Sequence, residues 1–140
     1  MSHSLLLPMF VLMAWTFVMF VWMYATRIPM MQKLGKHPDT YKHPSSLAKE
    51  ELPSQVRQVA DNYNHLLEQP TIFYALVIGI ILAGTATQID LYLVWAYVVF
   101  RIFHSIWQAA VNAVMIRFYL FLVSSLMLLI LIVRALSALL

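Results

Sequence analysis

No cysteine occurs anywhere in the chain, which excludes disulfides, thiolate metal sites and a cysteine nucleophile. Charge is scarce too. Only 11% of the 140 residues are Asp, Glu, Lys or Arg, where a soluble domain carries about a quarter. Internal repeats and low-complexity tracts are absent, and only three glycines are present. The net charge is +3, yet no basic patch is interleaved with aromatics, so nucleic acid is not an expected partner. His37 and His43 have no companion ligands at a metal spacing, and no metal site is expected.

What is there is apolar. Hydrophobic residues make up 62% of the chain, and the mean hydropathy is +0.78. Length allows a single domain over 1–140, and the apolar runs make it an integral-membrane one. The first run, Leu5 to Ala25, is long enough to cross a bilayer at about 1.5 Å per residue. It lacks a basic start and a small-residue cleavage pattern, so it reads as a retained span rather than a signal peptide. The spacing predicts helices over about 5–26, 54–83, 90–111 and 116–139, with a polar loop at 27–53. Pro53 suits the start of the second helix, where its missing N–H costs little. Pro70 should kink that helix or loosen a turn. Asp90 is read as the N-cap of the third helix. The expected fold is therefore an all-α four-helix membrane bundle, with helices three and four forming an antiparallel hairpin.

Four spans put both termini on one side. Arg27, Lys33, Lys36, Lys42 and Lys49 crowd the long loop, and Arg57 and Arg117 lie on the same side. The positive-inside rule then places the loop in the cytoplasm and both termini outside it. Trp22 and Tyr92, near span ends, read as interfacial anchors, and the nine methionines as adaptable packing.

Two polar lines interrupt the apolar pattern. Arg57, Asp61, Asn64 and Glu68 recur at helical spacing where the second span begins. Tyr97, Arg101, His104, Ser105, Gln108 and Asn112 run along the third. Lipid tolerates such groups only against a partner, a bundle interior or a water-filled cavity, so together they propose a polar site between membrane helices. Guanidinium groups there can hold carboxylates or phosphates. Glu68 and Asn64 can take an ammonium or an amide, and His104 titrates near neutrality and can serve as acid or base. Plainer readings stand beside these. Arg57 and Asp61 form an i,i+4 surface pair, Glu68 neutralises Arg101, directly or through a neighbour, His104 is an interhelical hydrogen-bond donor, and Ser105 and Gln108 are interhelical glue.

The segment Arg57-Gln-Val-Ala-Asp61-Asn62-Tyr-Asn64-His-Leu-Leu-Glu68-Gln-Pro70-Thr-Ile-Phe73-Tyr74 resembles the second helix of the membrane-associated proteins in eicosanoid and glutathione metabolism, the MAPEG family. Trp95-Ala-Tyr97-Val-Val-Phe-Arg101-Ile-Phe-His104-Ser105 is similar to that family's third helix, and Arg117 stands where a functional arginine is expected. The likeness covers the whole chain and marks it as an atypical, bacterial-type member. It implies a homotrimer among membrane lipids, located in a bacterial inner membrane, with glutathione held between subunits and used on a lipophilic substrate as a transferase or peroxidase. Carried over residue by residue, Arg117 and His104 become the catalytic candidates, and Arg57, Asn64, Glu68 and Arg101 the cofactor-binding ones. The pattern departs in two places. The family spaces its second-helix Arg, Asn and Glu by four and then three, whereas Asp61 and Asn64 fall there here, with Glu68 a turn later. Gln108 also replaces a tyrosine common to active members. These departures motivate an alternative: a non-enzymatic lipid-binding scaffold or an accessory subunit of a larger membrane complex.

Overall fold

The computed structural model describes residues 2–35 and 52–140. They form four helices and no strand: α1 (Ser2–Lys33), α2 (Ser54–Ala83), α3 (Gln88–Ala110) and α4 (Val114–Leu139). Each is long and apolar enough to cross a membrane, so the protein is an all-α, multi-pass membrane bundle. The part of the polar connection at 36–51, with Lys36, Lys42, Lys49, His37 and His43, lies outside the described residues.

The helix ends follow local chemistry. α1 runs seven residues beyond the expected Thr26, because the change to polar composition at Arg27 marks the edge of the apolar run and not the end of the helix. It continues through Pro29 and stops at Gly35, whose φ of 61° is left-handed backbone that glycine adopts without a Cβ clash. Gly84 ends α2 in the same way, with φ 70° and its N–H donating to Ile81 O at 3.1 Å. The α2 helix is continuous through Pro70, with the Thr71 hydroxyl donating to Glu68 O at 2.6 Å.

At the start of α3 the N-cap is Thr87, not Asp90. The Asp90 N–H donates to Thr87 Oγ1 at 3.3 Å, and the Thr87 N–H donates back to Asp90 Oδ2 at 2.9 Å, a reciprocal capping box. Asp90 is thus the third helical residue, held by the cap rather than forming it. At the other end, Asn112 adopts a φ of 57°, and its N–H bonds Trp107 O at 2.7 Å, turning the chain tightly into α4.

The most extensive helix contact is between α3 and α4, the hairpin; α1 packs on α2 and α3, and α2 reaches α4 more lightly. Leu5, Leu12, Met19, Phe73, Val94 and Leu131 lie in the shared core. A polar ladder stitches the helices within it. Ser105 Oγ accepts from Trp15 Nε1 at 2.8 Å and from Asn62 Nδ2 at 2.7 Å, joining α1, α2 and α3. Gln58 Nε2 donates to Ala109 O at 2.7 Å, and Gln69 Nε2 to Ser125 Oγ at 2.9 Å. Tyr97 stacks on Phe73 with centroids 4.3 Å apart, and its hydroxyl reaches Gln69 at 3.4 Å. Large apolar side chains such as Phe10, Phe17, Ile72, Phe103 and Leu129 face outward, as bilayer contact requires.

Candidate functional site

The first half of α2, the last two turns of α3 and the first two turns of α4 converge at one end of the bundle. Between them lies a cleft of about 480 Å³, within the range of small-molecule sites. From α2 it is lined by Asp61, Asn64, His65 and Glu68, and from α3 by His104 and Gln108. The α4 wall is Val114, Arg117, Phe118 and Phe121. The tight turn at Asn112 sets the approach of α4, because Arg117 Nη1 donates to Asn112 Oδ1 at 2.7 Å and is held against the hairpin.

Four expected site residues, Asn64, Glu68, His104 and Arg117, therefore meet in one cleft. Two do not reach it. Arg57 sits half-buried on the first turn of α2. Arg101 is fully buried beneath the cleft, its Nη2 donating to His65 O at 3.1 Å and its guanidinium carbon 5.5 Å from the Phe121 ring centroid. Asn112 and Tyr97 act as framework and not as lining.

The Glu68 carboxylate does not touch Arg101. It projects outward from α2, 69% exposed, and lies 3.0 Å from His65 Nδ1. The two charges are joined only through His65, whose ring meets Glu68 while its carbonyl receives Arg101. Arg101 lies buried inside the bundle, whereas the Glu68 carboxylate faces out of it.

His65 is the residue that pattern reading missed. Its ring lies 5.1 Å from those of both His104 and Phe121, and His104 lies 5.9 Å from Phe121. The signal was present, since His65 stands four residues after Asp61 and three before Glu68, on the same helical face. Phe121 and Phe118 gave none, because aromatics on an apolar span read as lipid contact. At the floor, the buried His104 Nδ1 and Gln108 Oε1 have no hydrogen-bond partner among the described residues, although buried polar atoms are nearly always bonded. Ser105 does tie helices together as expected, and Gln108 lines the cleft with its oxygen buried.

Farther along the same α2–α4 face lies an apolar groove of about 450 Å³, bordered by Ile72, Leu76, Gly79 and Leu136. The Gln69–Ser125 bond separates groove from cleft.

Fold and site together define a membrane-embedded helical bundle with a charged cleft at one end and an apolar groove toward the other. Residues 5–137 match the model of the MAPEG family, and the chain belongs to that family, which includes glutathione transferases and peroxidases. No curated protein and no solved structure gives a significant match.

Proposed function

We propose that the protein binds glutathione in the cleft between α2, α3 and α4 and uses it on a lipophilic substrate, as a transferase or peroxidase. The observation that carries this reading is the meeting of Arg117, Asn64, Glu68, His104 and Gln108 around one cavity. Glutathione presents carboxylates, an ammonium, amides and a thiol. Arg117 supplies counter-charge for a carboxylate, Glu68 receives the ammonium, and Asn64 bonds an amide. The His104 and Gln108 side chains close the α3 wall of the cleft. The bound thiol supplies the nucleophile or reductant, and Phe118 and Phe121 on the α4 wall give a lipophilic molecule apolar contact beside it. Arg101 supports the site from below through its bond to the His65 carbonyl, and Arg57 lies nearer the mouth along α2. We place this cleft on the cytoplasmic side of a bacterial inner membrane and in a homotrimer, as the charge distribution and family membership favour.

A specific observation favours a second reading. Asp61 lines the cleft and is exposed there, and a carboxylate beside Arg117 opposes an anionic ligand. If it dominates, the cleft serves lipid headgroups and the protein is a non-enzymatic scaffold or accessory subunit. Thermal unfolding of purified protein with millimolar glutathione decides between them. Wild type should be stabilised, and Arg117→Ala should abolish the shift, because a charge-assisted hydrogen bond contributes about 1.5–3 kcal/mol. An unchanged midpoint with glutathione, together with stabilisation by anionic lipid, selects the scaffold.

A further inference from the structure

We infer that His65, oriented by Glu68, is the proton acceptor of the cleft and takes the proton of a ligand thiol. The inference rests on the glutathione reading above and adds to it the residue that moves the proton.

Four imidazole and carboxylate groups line the cleft and compete for the role. His104 is buried, and no carboxylate reaches its Nδ1, which has no partner among the described residues. Glu68 Oε2 is already engaged by His65 Nδ1, and the Asp61 side chain has no oriented partner among the described residues. His65 differs from all of them. It lines the cleft, it is 26% exposed and so open to a ligand, and its Nδ1 stands 3.0 Å from Glu68 Oε2. An ionised carboxylate only accepts hydrogen bonds, so this contact places the imidazole proton on Nδ1 and leaves the lone pair on Nε2. A carboxylate in this position also stabilises the imidazolium that forms once a proton is taken. The rings of His104 and Phe121, each 5.1 Å away, flank the imidazole, and Arg101 Nη2 holds the backbone of the same residue through its carbonyl at 3.1 Å.

The step balances without any further reactant. The S–H bond breaks, its electron pair stays on sulfur, and the proton forms a new bond to His65 Nε2. The resulting imidazolium stays hydrogen-bonded to Glu68 Oε2, whose other oxygen remains free for the ligand, and Arg117 on the facing wall adds positive charge to the cleft. Glu68 is a positioning residue here and His65 the catalytic one. The charged and titratable groups around the ring are Asp61 and Glu68 on α2, Arg101 and His104 on α3, and Arg117 on α4.

The test uses the full chain in detergent and reads the ultraviolet difference absorbance of a bound thiolate, with S-methylglutathione, which has no ionisable thiol, as the binding probe. Wild type with glutathione should show the thiolate band at neutral pH. His65→Gln should bind S-methylglutathione as wild type does, while its thiolate fraction with glutathione falls about tenfold, the equivalent of one pKa unit. Glu68→Gln alters only an exposed carboxylate and so keeps the fold; the band should weaken per bound glutathione and not vanish. A full-strength band in His65→Gln, or wild type that binds glutathione with no band, overturns the inference and leaves the glutathione reading standing. Wild type that binds neither compound removes that reading and this inference with it.

Discussion

Ser105 is the smallest residue of the interior network and the one whose loss is felt on most helices. Its hydroxyl oxygen accepts from Trp15 on α1 and Asn62 on α2 while belonging to α3. Ser105→Ala removes one oxygen and leaves two donors without a partner, one of them on the fully buried Asn62. Interhelical hydrogen bonds in membrane proteins average about 0.6 kcal/mol, whereas a buried donor left unsatisfied costs about 1–3 kcal/mol. Both routes give a loss of at least about 1 kcal/mol, visible as a lowered midpoint in thermal unfolding followed by circular dichroism. An unchanged midpoint would mean that the network is ornamental. Sequence spacing identified Ser105 as interhelical glue because it is a hydroxyl on the buried face of an apolar span. It did not identify His65, nor that Glu68 meets Arg101 only through that residue. Spacing reports which face a side chain occupies, but not whether two side chains on neighbouring helices point toward each other. Asn64, Glu68, His104 and Arg117 were legible as polar residues where lipid forbids them. Arg57 and Arg101 were legible in the same way, and their distance from the cleft is a packing result.

The α3–α4 hairpin is clamped at both ends by different chemistry. Near the cleft, Arg117 bonds Asn112 at the turn. At the far end, Arg134 of α4 reaches across to the cap of α3, with Nε donating to Asp90 Oδ1 at 2.7 Å and Nη2 to Thr87 Oγ1 at 3.0 Å. Asp90 is buried, but Arg134 is about one-third exposed, so the pair is worth less than a wholly buried one. Removing one partner of a fully buried pair costs about 3–5 kcal/mol. Here Thr87 still donates two hydrogen bonds to Asp90, and Arg134→Ala should cost nearer the roughly 1.5–3 kcal/mol of a charge-assisted bond. Combined with Asp90→Asn, the loss in thermal stability should be smaller than the sum of the two single losses; simple additivity would show the pair uncoupled. The hairpin itself was readable from the short linker between two apolar runs. The cap falls on Thr87 and not on Asp90 because Thr87-Gln88-Ile89-Asp90 forms a reciprocal capping box, in which the aspartate serves as the third helical residue. The end of α1 was misplaced because composition reports where lipid stops, and a helix stops where its carbonyls find a cap, here at Gly35.

At the scale of the molecule, the charge asymmetry and the exposed polar face of α2 make two separate demands. Six of the nine Lys and Arg fall between Arg27 and Arg57, which fixes that connection in the cytoplasm if the positive-inside rule holds. Because the chain has no cysteine, a single Lys42→Cys can be labelled in sealed cells without background. It should be protected from a membrane-impermeant reagent, and labelling from outside would reverse the topology. The second demand comes from Glu68. Thirty residues of α2 extend about 45 Å at 1.5 Å each, which exceeds a hydrocarbon core of about 30 Å. Counting back from Ala83, Glu68 lies about 22 Å along the helix and therefore still within the core's depth. Yet it is 69% exposed, and Asn64 beside it is exposed as well. A carboxylate at that depth cannot rest against acyl chains, so another surface must cover this face. The four helices of one chain do not, because the cleft walls of α3 and α4 still leave Glu68 69% exposed. Further copies of the chain supply such a surface at no cost in new sequence, and closed rings are the usual outcome of repeated like contacts. A trimer is the assembly that the family resemblance implies, and native mass measurement in a mild detergent should give it. Glu68→Lys, which reverses the charge on the covered face, should shift the population toward monomer while leaving helical content intact. A wild-type protein that stays monomeric and stable under these conditions would show that lipid headgroups or water reach Glu68 within a single bundle, and that the cleft works without a neighbour.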